Sequence, residues 1–144
     1  MIFFVHGGPS PFLHLSSKAP GIVCIRRTRE RWSHADQMAA AWSEVGAAIA
    51  ERFGEATRVL VDIRDSPPHN GEHFEAVVVP RIQSVVTQFQ RAAICVSSQI
   101  GKLQIRRHTE GWISPSVPLQ SLAIFDDESQ SMAFLKGNHG TYSI

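Results

Sequence analysis

The sequence predicts an α/β fold, a mixed sheet of four to five strands with flanking helices. The first observation is the apolar run Val59–Ile63, whose length and β-branched residues are typical of a strand buried on both faces. The second is the helical periodicity before and after this run, which favours a mostly parallel sheet. The third is the turn sequence Asp65–Pro68, where proline supplies no ladder donor and ends the strand. Val59–Ile63 is therefore expected to be the middle strand, followed by a loop where open α/β sheets place their sites.

The elements before this strand are predicted from turn and cap residues. Ile2–Val5 is either a first strand or part of an extended N-terminal arm over residues 1–11. Phe12–Leu15 and Ile22–Thr28 form a predicted hairpin around a Pro-Gly turn, since glycine accepts the positive φ that such turns require.

A first helix is predicted from an N-cap at Ser33, with Asp36 in the capping-box position, to about Phe53, with Gly54 ending it. One buried stripe recurs at helical spacing. Its members are Met38, Trp42, Val45, Ile49 and Phe53.

The elements after the middle strand continue the alternation. They are a helix over Gly71–Phe89 kinked at Pro80, a strand at Ala92–Val96, a helix at Ile100–His108, a strand at Leu122–Phe125, and a helix capped by Asp126 and Asp127 that ends near Leu135. Trp112–Gln120 is predicted to be a surface loop, and residues 138–144 a loose tail.

Composition excludes several classes of protein. The 144 residues suit one domain, 1–144, with a real core. A net charge of +1 argues against nucleic-acid binding. No apolar run approaches the ~18 residues that would span a membrane, so no membrane insertion and a cytoplasmic location are expected.

Charged clusters and cysteines have simple explanations. The two basic clusters are interpreted as solvated faces, with local docking as the alternative. They are Arg26, Arg27, Arg29 and Arg31, then Lys102, Arg106 and Arg107.

Cys24 and Cys95 lie in apolar runs and are expected to be core thiols in a reducing compartment, the alternatives being a disulfide or a reactive thiol. Trp42 is expected in the core, and Trp32 and Trp112 at the surface or rim.

Scattered residues over most of the chain resemble a bacterial family with the SpoIIAA-like fold, of the STAS or SEC14 type. They are Gly21–Thr28, Ala41–Val45, Leu60–Arg64, Phe74–Ala76, Gly101–His108 and Phe125–Glu128. The resemblance implies a four- or five-stranded sheet and a switch or docking module. In the related anti-sigma-factor antagonists a serine after the central strand is phosphorylated, and Ser66 is the nearest position, with Asp62 at the strand end. Pro67 and Pro68 replace the family's serine and glycine, so Ser66 as a turn residue is the alternative.

Two motifs suggest enzymes. Phe4–Pro9 resembles an oxyanion-hole segment of α/β-hydrolases, but the chain has no Gly-x-Ser-x-Gly elbow, which favours an N-terminal arm. His69–His73 fits the H-x-x-E-H pattern of zinc peptidases, in which Glu72 would act as base. The alternatives for that segment are an adventitious or structural metal, or a polar start to the following helix.

The function predicted from the sequence is a non-enzymatic regulatory or binding module that docks a protein partner through the loop after the middle strand. The expected binding residues are Asp62, Asp65, Ser66, His69 and His73, with Lys102 and Arg106 on a neighbouring docking surface. The alternative is a carrier of a small apolar, lipid-like ligand held between sheet and helices, and a zinc hydrolase is the remote alternative. No cofactor is expected, and a homodimer is a further association left open.

Overall fold

The strand Arg58–Asp62 lies inside one mixed sheet whose neighbouring strands follow one another in chain order. The computed structural model describes residues 4–5, 10–67 and 72–137. The strands are β1 (Phe4–Val5), β2 (Leu13–Ala19), β3 (Ile22–Arg27), β4 (Arg58–Asp62), β5 (Arg91–Cys95) and β6 (Ser121–Phe125). The fold is therefore α/β, with five main strands and a two-residue strand at one edge.

The sheet changes from antiparallel to parallel at β3. The first two pairings are antiparallel, and β3 through β6 are parallel neighbours. Gly21 has φ 78 in the turn between β2 and β3, the conformation predicted for the Pro-Gly turn. The hairpin register shifts between Ser17 and Ala19.

The helices alternate with the parallel strands. They are α1 (Ala35–Arg52), α2 (Glu72–Val77), α3 (Val79–Val86), α4 (Gln99–His108) and α5 (Glu128–Leu135). The break between α2 and α3 falls beside Pro80, which confirms the predicted kink, although α3 ends at Val86 rather than Phe89. Asp127 caps α5 as predicted, accepting from the backbone N–H of Ser129 at 2.7 Å.

Two hydrophobic clusters cover the two faces of the sheet. Side chains of α1 to α4 pack on the first face, against Val23, Val59, Ala92 and their row neighbours. Helix α5 packs on the second face, where Phe134 and Leu135 contact Leu60 and Ala93. Val59 and Leu60 are fully buried on opposite faces of β4, which confirms the predicted interior strand. The parallel strands follow one another in the sheet, and their crossover connections all have the same handedness, so the connecting helices lie on one face. Helix α5 follows the last strand and connects to no further strand, and it covers the other face.

Ion pairs and hydrogen bonds hold α5 at both ends. At its start, Glu128 lies 2.9 Å from Lys18 of β2. At its end, Arg91 Nη1 donates to the carbonyl of Phe134 at 2.7 Å, and Arg58 donates to that of Leu135. Cations at the carboxyl end of a helix and a carboxylate at its start both complement the helix dipole.

Several sequence-based expectations need correction. The N-cap of α1 is His34 rather than Ser33, and the box partner is Gln37, whose side-chain oxygen accepts from the backbone N–H groups of Ser33 and His34. Helix α1 ends at Arg52 with Phe53 at its C-cap, which places Gly54 at the predicted C′ position, but Gly54 is not among the described glycines with positive φ. The predicted stripe of α1 is confirmed, because its first four members are buried and Phe53 packs against the same cluster.

Two predictions of exposure are wrong. Trp112 is buried, as is Leu119, because these two residues of the loop 112–120 pack into the core on the first face of the sheet, whereas the residues between them are exposed or partly exposed. Arg27 is also buried, so the first basic cluster is not a uniformly solvated face. Phe4 pairs with Ser16, and Val5 pairs with Leu15. The other residues of the predicted arm up to position 9, and the tail 138–144, lie outside the described residues.

Candidate functional site

A cleft of about 590 Å³ opens on the first face of the sheet, at the carboxyl ends of β3, β4 and β5. It runs between these strand ends and the helices α1 to α4. The position agrees with the general placement of sites in open α/β sheets. Most of its wall is apolar, formed by Met38, Trp42, Val61, Ile63, Phe74, Val79, Ile82, Ile94, Val96, Ile100, Ile105 and Trp112.

Helix α4 forms one wall of the cleft with a single face. The lining residues of this helix are Ile100, Gly101, Gln104, Ile105, Arg107 and His108, a spacing that keeps them on one side. Ser98 caps the helix, its Oγ accepting from the backbone N–H of Gly101 at 3.0 Å. No side chain of α4 is fully buried, because the helix stands over the cleft rather than on a filled core.

Arg27, at the end of β3, is a buried charged group in the wall of this cleft. The residue is 3% exposed, and its Nη1 donates to the carbonyl of Thr28 at 2.5 Å. Its Nε and Nη2 are both buried, and no described residue accepts a hydrogen bond from either. The guanidinium carbon lies 5.7 Å from the centroid of the Phe12 ring. Burial lowers the pKa of Arg27, and the more distant charge of Glu30 only partly opposes this.

The strand alternation contained a signal for this burial. Val23, Ile25 and Arg27 share one face of β3, and the first two are core residues. Arg26 points to the opposite face and is exposed. The cluster of arginines in the sequence concealed that difference between neighbours.

A second polar group lies at the rim of the cleft. Glu75 Oε2 is 3.3 Å from His108 Nε2 and 3.5 Å from a terminal nitrogen of Arg107. The Glu75 and Arg107 side chains are about half and two-thirds exposed, whereas that of His108 is only 20% exposed. The charges of Glu75 and Arg107 at this rim therefore neutralise each other.

The structure brings only part of the predicted site to the cleft. Ser66 lines it, and the Ser66 backbone N–H donates to the carbonyl of Ile63 in the turn after β4. Asp65 is exposed, 3.8 Å from Arg29, and His73 is exposed on α2. Lys102 and Arg106 lie on α4 but do not line the cleft. His69 lies outside the described residues.

Asp62 faces away from the cleft and is committed to an ion-pair network. Arg64 donates to both of its carboxylate oxygens, from Nε at 2.9 Å and from Nη2 at 2.8 Å. The same Nη2 also lies 2.8 Å from Glu128, which in turn binds Lys18. Burial would raise the pKa of Asp62, but the hydrogen bonds from Arg64 outweigh it and hold that pKa below its ordinary value. The network joins β2, β4 and α5.

The two cysteines lie in the core beneath α5. Both are buried and free. Burial raises the pKa of Cys24 to about 12, and burial likewise raises that of Cys95. Thiols with raised pKa values are poor nucleophiles at neutral pH.

Within residues 4–5, 10–67 and 72–137, no group of three or more His, Cys, Asp or Glu side chains could hold a metal ion. The H-x-x-E-H pattern begins at His69, outside those ranges. None of the helices in the described part of the chain is long and apolar enough to cross a membrane.

Comparisons with protein-family models, curated proteins and solved structures find no match to this chain.

Proposed function

We propose that this chain is a non-enzymatic binding module, of the SpoIIAA-like kind, that holds a small, largely apolar ligand in the cleft. The observation that carries the proposal is a cavity of about 590 Å³ at the carboxyl ends of parallel strands. Pockets for small molecules typically have volumes of roughly 300–1,000 Å³ and mostly apolar walls. A carrier therefore fits the cleft better than protein docking through the loop after β4.

The polar groups around the cleft support binding rather than catalysis. Ser98 Oγ caps α4, and Thr109 Oγ1 donates to the carbonyl of Ile105 at 2.8 Å. His108 has Glu75 as its charged neighbour. A nucleophilic site would need a hydroxyl or thiol within hydrogen-bond reach of a base. The five main strands and their helices agree with the four- or five-stranded sheet that the SpoIIAA-like resemblance implies, and this supports that part of the proposal.

A neutral fluorescent probe tests the cleft. N-phenyl-1-naphthylamine is expected to bind the wild-type protein and to increase in fluorescence as it leaves water. Ile105→Trp, which places an indole in the cleft, should weaken this binding at least tenfold. Leu103→Trp adds the same side chain to the same helix at a site that is 63% exposed and outside the cleft lining, so it should bind like wild type. No probe binding by wild type, or equal weakening in both variants, would refute the proposal.

The outer surface of α4 supports a second candidate, a protein-docking module. Leu103, outside the cleft lining, is 63% exposed, and Lys102 and Arg106 lie near it on the helix. Ile100, 71% exposed, joins this surface to the wall of the cleft. A partner with an apolar patch and acidic rim would complement this surface. Affinity capture with wild type and with Leu103→Glu tests it, because a specific partner should be lost from the variant. Ile113→Glu, at another exposed apolar residue, serves as control.

A further inference from the structure

We propose that the cleft selects amphipathic monocarboxylates, molecules with an apolar body ending in one carboxylate, and that Arg27 binds the carboxylate through Nε and Nη2. The inference rests on the proposed binding function and adds the chemical class of the ligand. It starts from the two buried donors of Arg27 that no described residue satisfies.

The two free donors of Arg27 form one edge of the guanidinium. Nε and Nη2 point in nearly the same direction, so together they match the two oxygens of a carboxylate. Arg64 shows this use within the same molecule, since its Nε and Nη2 bind the two oxygens of Asp62 at 2.9 and 2.8 Å. In Arg27 the remaining nitrogen, Nη1, donates to the carbonyl of Thr28, and this hydrogen bond fixes the orientation of the guanidinium plane.

A buried guanidinium with two donors that no described residue satisfies requires an explanation. Desolvation of an unpaired ion is strongly unfavourable, and buried polar groups in folded proteins are nearly always satisfied. Arginine does not relieve this by losing its proton. The carboxylate of Glu75, which also lines the cleft, is already placed against Arg107 and His108. Nε and Nη2 have almost no accessible surface, so the side chains that cover them must shift before a ligand's carboxylate can reach them; an anion held there would complete the site.

The charge and the walls define the ligand further. One guanidinium balances one negative charge, so a monoanion leaves no excess charge in the cleft, whereas a phosphate dianion would. The remaining wall is formed mainly by aliphatic and aromatic side chains, among them Trp42, Phe74 and Ile82. Such a surface suits a hydrocarbon or aromatic body and offers little to a sugar or nucleotide.

Isothermal titration with decanoate and with decan-1-ol provides the test, because the two probes share a chain and differ in the head group. Hydrogen bonds to a charged group are strong enough that decanoate should bind wild type roughly tenfold to a hundredfold more tightly. Equal affinity, or preference for the alcohol, overturns the inference. If decan-1-ol binds and decanoate gains nothing, only the carboxylate selection fails. If neither probe nor N-phenyl-1-naphthylamine binds, the proposed function itself fails.

Matched substitutions assign the selection to one side chain. Arg27→Met should abolish the preference for decanoate over decan-1-ol, since methionine removes the charge and preserves most of the apolar packing. Arg26→Met, on the opposite face of β3, should retain the preference. Arg27→Lys keeps the charge without the planar fork and should retain only part of it. Preference unchanged in Arg27→Met would overturn the assignment.

A purely structural role for Arg27 makes a different prediction. In that case Arg27→Met would lower the urea midpoint of the unliganded protein and would leave the ratio of the two affinities unchanged. A buried charge kept for binding is instead expected to limit stability, so the midpoint of Arg27→Met should equal or exceed that of wild type. If that variant does not fold, the ratio measured on wild type and on Arg27→Lys still decides the question.

Discussion

Removing the Arg64 side chain tests whether the ion-pair network fastens α5 to the sheet. Arg64→Met deletes two hydrogen bonds to Asp62 and one to Glu128, all between 2.8 and 2.9 Å. The Asp62 side chain is only 7% exposed, so the substitution leaves a buried carboxylate with one remaining hydrogen bond, from the backbone N–H of residue 64 at 3.1 Å. The unfolding free energy should therefore fall.

The expected loss in unfolding free energy follows from the cost of stranding Asp62 and from two effects that reduce that cost. Breaking a buried pair by removing one partner costs about 3–5 kcal/mol. Protonating the stranded aspartate at pH 7 costs about 4 kcal/mol, which limits the penalty. Arg64 is itself 36% exposed, so water already weakens part of the interaction. We therefore expect a loss of about 2–3 kcal/mol.

Urea unfolding followed by far-ultraviolet circular dichroism measures this loss. With a slope of about 1–3 kcal/mol per molar urea, the midpoint should fall by roughly 0.7–3 M. Asp65→Asn removes an exposed carboxylate 3.8 Å from Arg29 and should change stability by less than about 0.5 kcal/mol. In an Asp62→Asn background, Arg64→Met should cost much less, because the buried charge is already gone. A loss no larger than in Asp65→Asn, or the same loss in both backgrounds, would refute the reasoning.

Three further predictions follow from the same structure. The folded-state pKa values of Asp62 and Glu128 both lie below their ordinary values, so the unfolded chain binds more protons near pH 4 than the folded chain does. The contribution of these two carboxylates to the free energy of unfolding should be complete above about pH 5 and should disappear as the pH falls through their folded-state pKa values. Urea midpoints at pH 7 and pH 3.5 measure this, and an unchanged midpoint would contradict it. Cys24 and Cys95 should react with a thiol reagent at pH 7.5 only on unfolding, so fast labelling of native protein would contradict their burial. Gly21→Ala should cost about 1 kcal/mol in urea unfolding through its positive φ alone, because an added Cβ meets nothing within 4 Å; a neutral result would argue against the turn geometry.

The sequence by itself determined the alternation of elements and the main core. The run Val59–Ile63 predicted an interior strand, and β4 is buried on both faces. Helical spacing predicted the buried stripe of α1, and the Pro-Gly turn predicted the β2–β3 hairpin. These features depend on local periodicity and backbone preferences, which neighbouring residues specify.

Only the tertiary structure decided which charged residues are buried and which are paired. Arg26 and Arg27 are adjacent and identical in type, but only Arg27 lies beneath the layer of α1 to α4. Asp62 was expected to bind a partner, whereas its side chain pairs with Arg64, which reaches Glu128 across 64 residues of sequence. Such contacts depend on how helices separated along the chain pack over the ends of strands. No local pattern encodes that packing. The sequence therefore predicted a binding loop after β4 but did not reveal the cleft beside it.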